Sequence, residues 1–66
     1  MYVLKGELDG WKITSVGDTK YEAIAMAIGE YNARAHKDID SAWFMEAANI
    51  EIVELGANHA KAEKIR

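Results

Sequence analysis

The sequence contains no cysteine and no proline, and only two histidines, among its 66 residues. The lack of cysteine excludes disulfide bonds, iron–sulfur clusters, thiolate zinc sites and cysteine nucleophiles. His36 and His59 lie far apart with no second ligand at metal-binding spacing, so we expect no metal and no cofactor. A chain this short buries only about 60% of the surface that its unfolded form exposes. Without cross-links it needs a well-packed core or self-association.

Long hydrophobic runs are also missing from the chain. No apolar stretch approaches the roughly 18 residues that a membrane-spanning helix needs. Met1 leads directly into a strand pattern, without the charged and apolar regions of a signal peptide. We therefore expect a cytoplasmic protein with no membrane partner.

Basic residues are scarce outside the end of the chain. The net charge is −3, and the acidic excess lies in residues 1–55, whereas residues 56–66 contain Lys61, Lys64 and Arg66 against one glutamate. An acidic body is poorly suited to collecting nucleic-acid phosphates. The charge pattern thus makes nucleic acid an unexpected partner, and leaves weak binding through the basic tail as a third-ranked hypothesis.

The first organised segment is a β-hairpin at Asp9-Gly10. An Asp-Gly pair between alternating apolar residues is typical of a two-residue type I′ turn, in which both central residues have positive φ. This turn sets a register in which Leu8 lies opposite Trp11, and Tyr2 opposite Gly17. The register places most apolar residues on one face. The other face is mixed, is not required to be covered, and comprises Val3, Lys5, Glu7, Lys12, Thr14 and Val16.

A helix follows the hairpin. Thr19 and Glu22 form a capping box, which predicts a helix from about Lys20 to about Ala35. Helical periodicity places the apolar residues of this helix on one side, which we expect to pack on the sheet. The residues of this predicted face are Tyr21, Ile24, Ala25, Ala27, Ile28, Tyr31 and Ala35.

The second half of the chain is less regular. Residues 41–48 are interpreted as a short helix capped by Asp40 or Ser41 and ended by Asn49 in the left-handed conformation, with a strand through Trp43–Met45 as the alternative. Residues 49–55 are rich in β-branched side chains and predict a third strand. From residue 57 the basic tail is expected to be frayed or a short helix.

These elements predict an α+β fold with the order β-β-α-(α)-β. A right-handed crossover makes the third strand parallel to the second. The simplest sheet is therefore three-stranded and antiparallel, in the order 2-1-3, with a helix packed on one face. Residues 1–56 form the single domain and residues 57–66 form the tail.

No catalytic motif accompanies this fold. The sequence has no nucleophile elbow, phosphate-binding loop or metal-ligand helix, and most of its carboxylates fall on turns, caps or outward strand positions. A domain of this size also has little room for a concave active site. We expect a protein that is not an enzyme.

Two apolar features are candidates for protein interaction. The outer face of the first helix carries Glu22, Met26, Gly29, Glu30 and Ala33, which is unusually small and apolar for a solvated surface. The favoured interpretation is that the short second helix packs there, and the alternative is a partner or dimer interface. Trp43, Phe44 and Met45 cannot all face one core from a single helical turn, so at least one of them should be partly exposed.

The acidic residues of the third strand are a further candidate. If that strand is an edge, Glu51 and Glu54 are charges that discourage edge-to-edge aggregation. The alternative is an acidic surface that mimics nucleic-acid phosphates. Together these features give the predicted interaction residues, which are Trp43, Phe44, Met45, Met26, Glu22, Glu51 and Glu54.

Residues 16–24, with the sequence Val-Gly-Asp-Thr-Lys-Tyr-Glu-Ala-Ile, run from a strand into a Thr-capped helix. This outline resembles small bacteriophage-encoded proteins that inhibit host machinery, in particular host RNA polymerase. The resemblance covers the first half of the chain and the third strand, while Trp43–Met45 and the basic tail depart from it. It implies a protein of the host cytoplasm that docks on and modulates a larger protein. A self-associating structural protein, dimerising through the helix or a strand edge, is the main alternative.

Overall fold

A computed structural model describes residues 1–56 and 59–64 of the chain. Its first two strands, β1 (Tyr2–Leu8) and β2 (Trp11–Gly17), form the predicted hairpin. Asp9 and Gly10 have φ values of 52° and 82°, as a type I′ turn requires. The strands pair antiparallel from Leu8 opposite Trp11 to Tyr2 opposite Gly17, which confirms the predicted register.

Helix α1 (Lys20–Ala35) begins at the predicted cap. The Thr19 hydroxyl accepts a hydrogen bond from the Glu22 backbone N–H at 3.1 Å. The Glu22 carboxylate accepts from the Asp18 N–H at 3.0 Å, one residue before the cap. The helix ends at His36, whose φ of 55° is left-handed. Capping therefore fixes both ends of α1 through local residues.

The face that α1 turns to the sheet matches the predicted one at Ile24, Ala27, Ile28, Tyr31 and Ala35, which are buried or packed against the core. It differs from the prediction at Tyr21, Ala23 and Ala25. Ala23, Ala27 and Tyr31 are buried, whereas Tyr21 is 85% exposed and Ala25 is also exposed. The reason is a close approach of α1 to β2. A Cβ atom on Gly17 would lie 2.5 Å from the Ala23 nitrogen, so only small residues fit beneath this part of the helix.

Residues 41–47 are helical, which decides between the two interpretations of this segment. Helix α2 (Ser41–Ala47) is capped by Asp40, whose carboxylate accepts from the Trp43 N–H at 2.9 Å. The prediction that Asn49 ends the helix in a left-handed conformation is wrong. Ala48 is already extended, with φ −86° and ψ 149°, and leads directly into the next strand.

Strand β3 (Asn49–Gly56) pairs antiparallel with β1, which confirms the predicted order 2-1-3 and the α+β class. The prediction of a frayed or helical tail is wrong over His59–Lys64, where the chain forms β4 and extends the sheet to the order β2-β1-β3-β4. The register places Lys61 opposite Glu54 and Lys64 opposite Glu51. Backbone pairing with β3 thus overrides the helix propensity of an Ala- and Lys-rich segment.

The core lies between the sheet and the two helices. Its largest fully buried side chains are Tyr31, Phe44, Leu4, Ile50 and Ile52. Among the described side chains, the buried polar one is Ser15, whose hydroxyl donates to the Ala23 carbonyl oxygen at 2.6 Å. Both helices pack on this covered face, and the structure places the opposite face of the sheet towards solvent.

Candidate protein-binding surfaces

The open face of the sheet has an apolar end. Val3 of β1 lies between Val16 of β2 and Val53 of β3, so three valines form one row across three strands. Val16 is 50% exposed, and Leu55 and Met1 next to this row are also exposed. We call Met1, Val3, Val16, Val53 and Leu55 the apolar end. The three valines of this patch are stiff, since branching at Cβ restricts their χ1 angle.

The other end of the open face is polar and carries both signs of charge. Glu51 lies opposite Lys5 on one side and Lys64 on the other. In the next row, Glu7 lies opposite Lys12. A shallow cleft of about 380 Å³ follows this end of the face. We call these five residues the charged end. Because its charges alternate in sign, it favours a partner surface that also carries both signs over a partner surface of a single sign.

The outer edge of β2 runs beside helix α1. A cleft of about 430 Å³ between them is lined by Thr14, Ser15, Val16, Met26 and Glu30, together with Lys12. A second cleft of about 220 Å³ continues it past Ile13 towards Trp11. The two clefts share Lys12 and Glu30, so they form one groove along the strand.

Of the three consecutive apolar residues in α2, only Trp43 is well exposed. Its side chain is 45% exposed and lines a cleft of about 560 Å³ next to the hairpin turn, together with Asp9 and Asn49. Met45 is half-buried against the core, and Phe44 is 0% exposed. The expectation that at least one of the three is exposed is confirmed, but Phe44 is a core residue and is not accessible to a partner.

The outer face of α1 is not where α2 packs, and the favoured interpretation of that surface is wrong. Met26 is 61% exposed, and no atom lies within 4 Å of the Cβ position of Gly29. Phe44 belongs instead to the buried core cluster together with Leu4, Ile50 and Ile52 of the sheet. Glu22 caps the helix, so its carboxylate already has a structural role.

Glu51 and Glu54 lie on an interior strand, because β4 covers the free side of β3. The hypothesis that they protect a sheet edge is therefore wrong. The half-buried Glu54 accepts a hydrogen bond from the Tyr2 hydroxyl at 3.3 Å on the covered face, whereas Glu51 is exposed on the open face. The two carboxylates point to opposite sides and do not form one acidic surface.

Tyr31 connects α1 to the hairpin turn. Its hydroxyl donates to the Asp9 carboxylate at 3.2 Å, while its ring lies in the core. Burial of the ring raises the pKa of Tyr31 above its ordinary value, and the hydrogen bond to Asp9 and the negative charge of Asp9 raise it further. This contact closes the end of the core next to the turn.

In the part of the chain that the structure describes, no three histidine or carboxylate side chains lie close enough together to hold a metal ion. Within the same residues, no helix is long and apolar enough to cross a membrane. Within the described residues, the candidate binding surfaces are the open face of the sheet, the groove beside β2 and the cleft at Trp43.

The predicted interaction residues do not form one site, and the apolar end was not among them. Val3 and Val16 are on the face that the hairpin register left open, so the strand alternation carried the signal for them. Val53 and Leu55 carried a similar signal, since they alternate with Ile50 and Ile52 along β3. No protein-family model, curated protein sequence or solved structure matches the chain.

Proposed function

We propose that the chain is a protein-binding module that docks on a larger protein through the open face of its sheet. The observation that supports this is the row Val16–Val3–Val53, which is continuous across three strands and has no helix over it. Strand alternation would allow polar residues at these positions at no cost to the core. Their apolar character is instead suited to contact with another surface.

The apolar end suits a flat contact surface better than a small ligand. Small ligands are generally held in concave pockets that bury most of their surface, whereas the cleft on this face is shallow. Burying a valine fully is worth about 1.5–3 kcal/mol, so several half-exposed aliphatic residues together supply a useful part of a binding free energy. Little side-chain entropy is lost because the valines are rigid and held by neighbouring strands.

The charged end specifies the chemistry of the partner. Glu51 between Lys5 and Lys64 presents a negative position flanked by two positive ones. A partner surface with an apolar strip next to charges of the inverse order would match both ends of the face. Such rim charges contribute to orientation and specificity more than to affinity.

Leu55→Lys tests this function. Leu55 is exposed in the apolar end, and Tyr21→Lys on α1 is the charge-matched control because Tyr21 is exposed on the other side of the molecule. We expect wild type and the Tyr21 variant to retain the same protein from a bacterial lysate, and to bind it again after purification by calorimetry. Equal binding by the Leu55 variant would contradict docking through the open face.

A second candidate function is self-association through the same face, and the mixed charges favour it. Under a two-fold axis, Lys5 of one copy can approach Glu51 of the other, so the charged end is self-complementary. Sedimentation equilibrium distinguishes the candidates. A tight dimer that Leu55→Lys dissociates would favour self-association, and a monomer at all concentrations would favour a larger partner.

The resemblance of residues 16–24 to phage inhibitors adds a narrower proposal, in which the partner is a host protein whose activity the chain lowers. The identity of the retained protein tests this directly. An activity assay of that protein, with the wild type and the Leu55→Lys variant, would then measure whether docking inhibits it.

A further inference from the structure

The outer edge of β2 is an unpaired strand edge. Among residues 1–56 and 59–64, β2 pairs with β1 alone, over seven consecutive residue pairs without a bulge. In a two-residue turn the residue after the turn donates its N–H to the residue before it, so Trp11 faces β1. Alternation then turns the backbone N–H and C=O groups of Lys12, Thr14 and Val16 away from β1. These groups are available to a further strand.

The edge lacks most of the devices that prevent strand addition. Proteins protect sheet edges with proline, bulges, inward-pointing charges or a covering element. The chain has no proline, β2 has no bulge, and Lys12 is its only charged residue. Met26 and Glu30 of α1 lie beside the edge as one wall of the groove, and do not fill the strand position next to β2.

We infer that this groove binds an extended segment of another protein, which adds to β2 as a fifth strand. The groove shares the side chains of Lys12 and Val16 with the open face, but it binds through the backbone edge of β2 and the flank of α1. The inference does not rest on the function proposed above. Backbone hydrogen bonds to the edge would supply affinity, and alternate side chains would supply specificity. The bound segment would lie between the edge of β2 on one side and α1 on the other.

The geometry favours an isolated segment over the β2 strand of a second copy. α1 packs mainly on β2, and its flank with Met26 and Glu30 already borders the next strand position. Strands pair at about 4.8 Å, whereas helix axes pack at 8–10 Å. A second β2 would bring its own α1 into the space that this flank occupies. The occupant must therefore be a strand that carries no helix of its own on the face towards α1.

The charges define the occupant further. Lys12 is positive, and the charges of Glu30 and Arg34 compensate each other in an ion pair of 2.8 Å. An antiparallel segment would place one residue opposite Val16, a second opposite Thr14 two positions later, and a third opposite Lys12 after two more. The best match is therefore a β-branched apolar residue at the first position and an acidic residue at the third.

The probe is the acetylated and amidated peptide Thr-Val-Val-Thr-Val-Glu-Ser, titrated into the full-length protein and followed by amide NMR shifts and hydrogen exchange. We expect slower exchange at the Lys12, Thr14 and Val16 amides. A matched peptide with lysine in place of glutamate should bind about two- to five-fold more weakly, the range for one cross-strand charge pair. A peptide with proline at its central position should not bind, since it lacks the N–H that faces Thr14.

Thr14→Pro provides the matching change in the protein. Its N–H faces outward, so proline is compatible with the hairpin there but blocks a strand addition, whereas Thr14→Val preserves the edge. We expect the valine variant to bind and the proline variant to lose binding. If the proline variant does not fold, the proline-containing peptide still tests the inference.

Three results would overturn it: no shifts at millimolar peptide, shifts at Val53 and Leu55 instead of the edge, or concentration-dependent protection of the β2 amides without peptide. The third would assign the edge to a second copy. Leu55→Lys leaves this groove unchanged, so failure here is distinguishable from failure of docking through the open face.

Discussion

The two faces of the sheet use similar aliphatic residues under different conditions. On the covered face, Leu4 and Ile52 are sealed between strands and helices, and their burial stabilises the domain. On the open face, Val16 and Leu55 remain accessible, so the free energy of burying them is available to a partner. Because successive strand residues alternate between faces, Ile52 and Val53 are sequence neighbours with different expected roles.

Ile52→Thr and Val53→Thr test this difference most directly. In Ile52→Thr, the side chain loses one carbon and buries a hydroxyl that has no hydrogen-bond partner. This should lower the free energy of unfolding by about 2–4 kcal/mol. Val53→Thr preserves the β-branched shape on a half-buried site and should cost less than about 1 kcal/mol. Urea denaturation measures both, and equal losses would show that the two faces do not differ in this way.

Gly17→Ala probes how closely the covered face is packed. The new Cβ would lie 2.5 Å from the Ala23 nitrogen and 2.7 Å from the Glu22 Cβ. Because the backbone of α1 would have to shift, we expect a loss of about 1–3 kcal/mol. Gly29→Ala is the control on the exposed side of α1, where no atom lies within 4 Å, and should instead stabilise by about 1 kcal/mol. Thermal unfolding of both variants should give shifts of opposite sign.

Asp40→Ala tests whether α2 stays in place over the covered face. The Asp40 carboxylate accepts from the Trp43 N–H, and α2 carries the fully buried Phe44. Loss of this cap should cost about 1 kcal/mol. Asp38→Ala in the same connector is the matched control and should have little effect, since Asp38 is exposed and does not cap the helix. Similar losses in both variants would argue against a capping role.

The contact between Tyr31 and Asp9 should give the smallest effect, and only at high pH. Because the pKa of Tyr31 is raised in the folded protein, its stabilisation is present below the ordinary tyrosine pKa of about 10 and is lost as pH rises through the folded value. Tyr31→Phe should remove this part of the pH dependence of the Tm, and Tyr21→Phe should not. An identical alkaline slope in wild type and the Tyr31 variant would contradict the shift.

The elements that the sequence predicted well are those set by nearby residues. The turn at Asp9-Gly10 and the cap at Thr19 involve partners within a few positions, so their register and bounds could be derived without knowledge of the rest of the fold. β4 could not, because it depends on pairing with β3, and its own composition favours a helix. The order 2-1-3 could be predicted because the crossover rule applies to the first three strands and does not depend on β4.

The candidate surfaces were only partly predictable for the same reason. Alternation placed Val3 and Val16 on one face, but whether a helix covers that face depends on where α2 packs. The predicted position of α2 is over the outer side of α1 near Met26, whereas Phe44 lies in the core cluster with Ile50 and Ile52. The predicted face of α1 was wrong only near the start of the helix, because alanine has a weak hydrophobic signal and Ala23 faces the sheet through the close approach at Gly17.

The position of β1 in the middle of the sheet has a consequence for how the chain folds during translation. β1 is made before β3, yet one of its edges pairs with β3, which begins at Asn49. The hairpin and α1 have local contacts and can form early. Until residues 49–56 leave the ribosome, however, β1 presents an open edge and an incomplete core to other nascent chains. A product truncated after residue 40 would keep that exposed edge permanently and should aggregate.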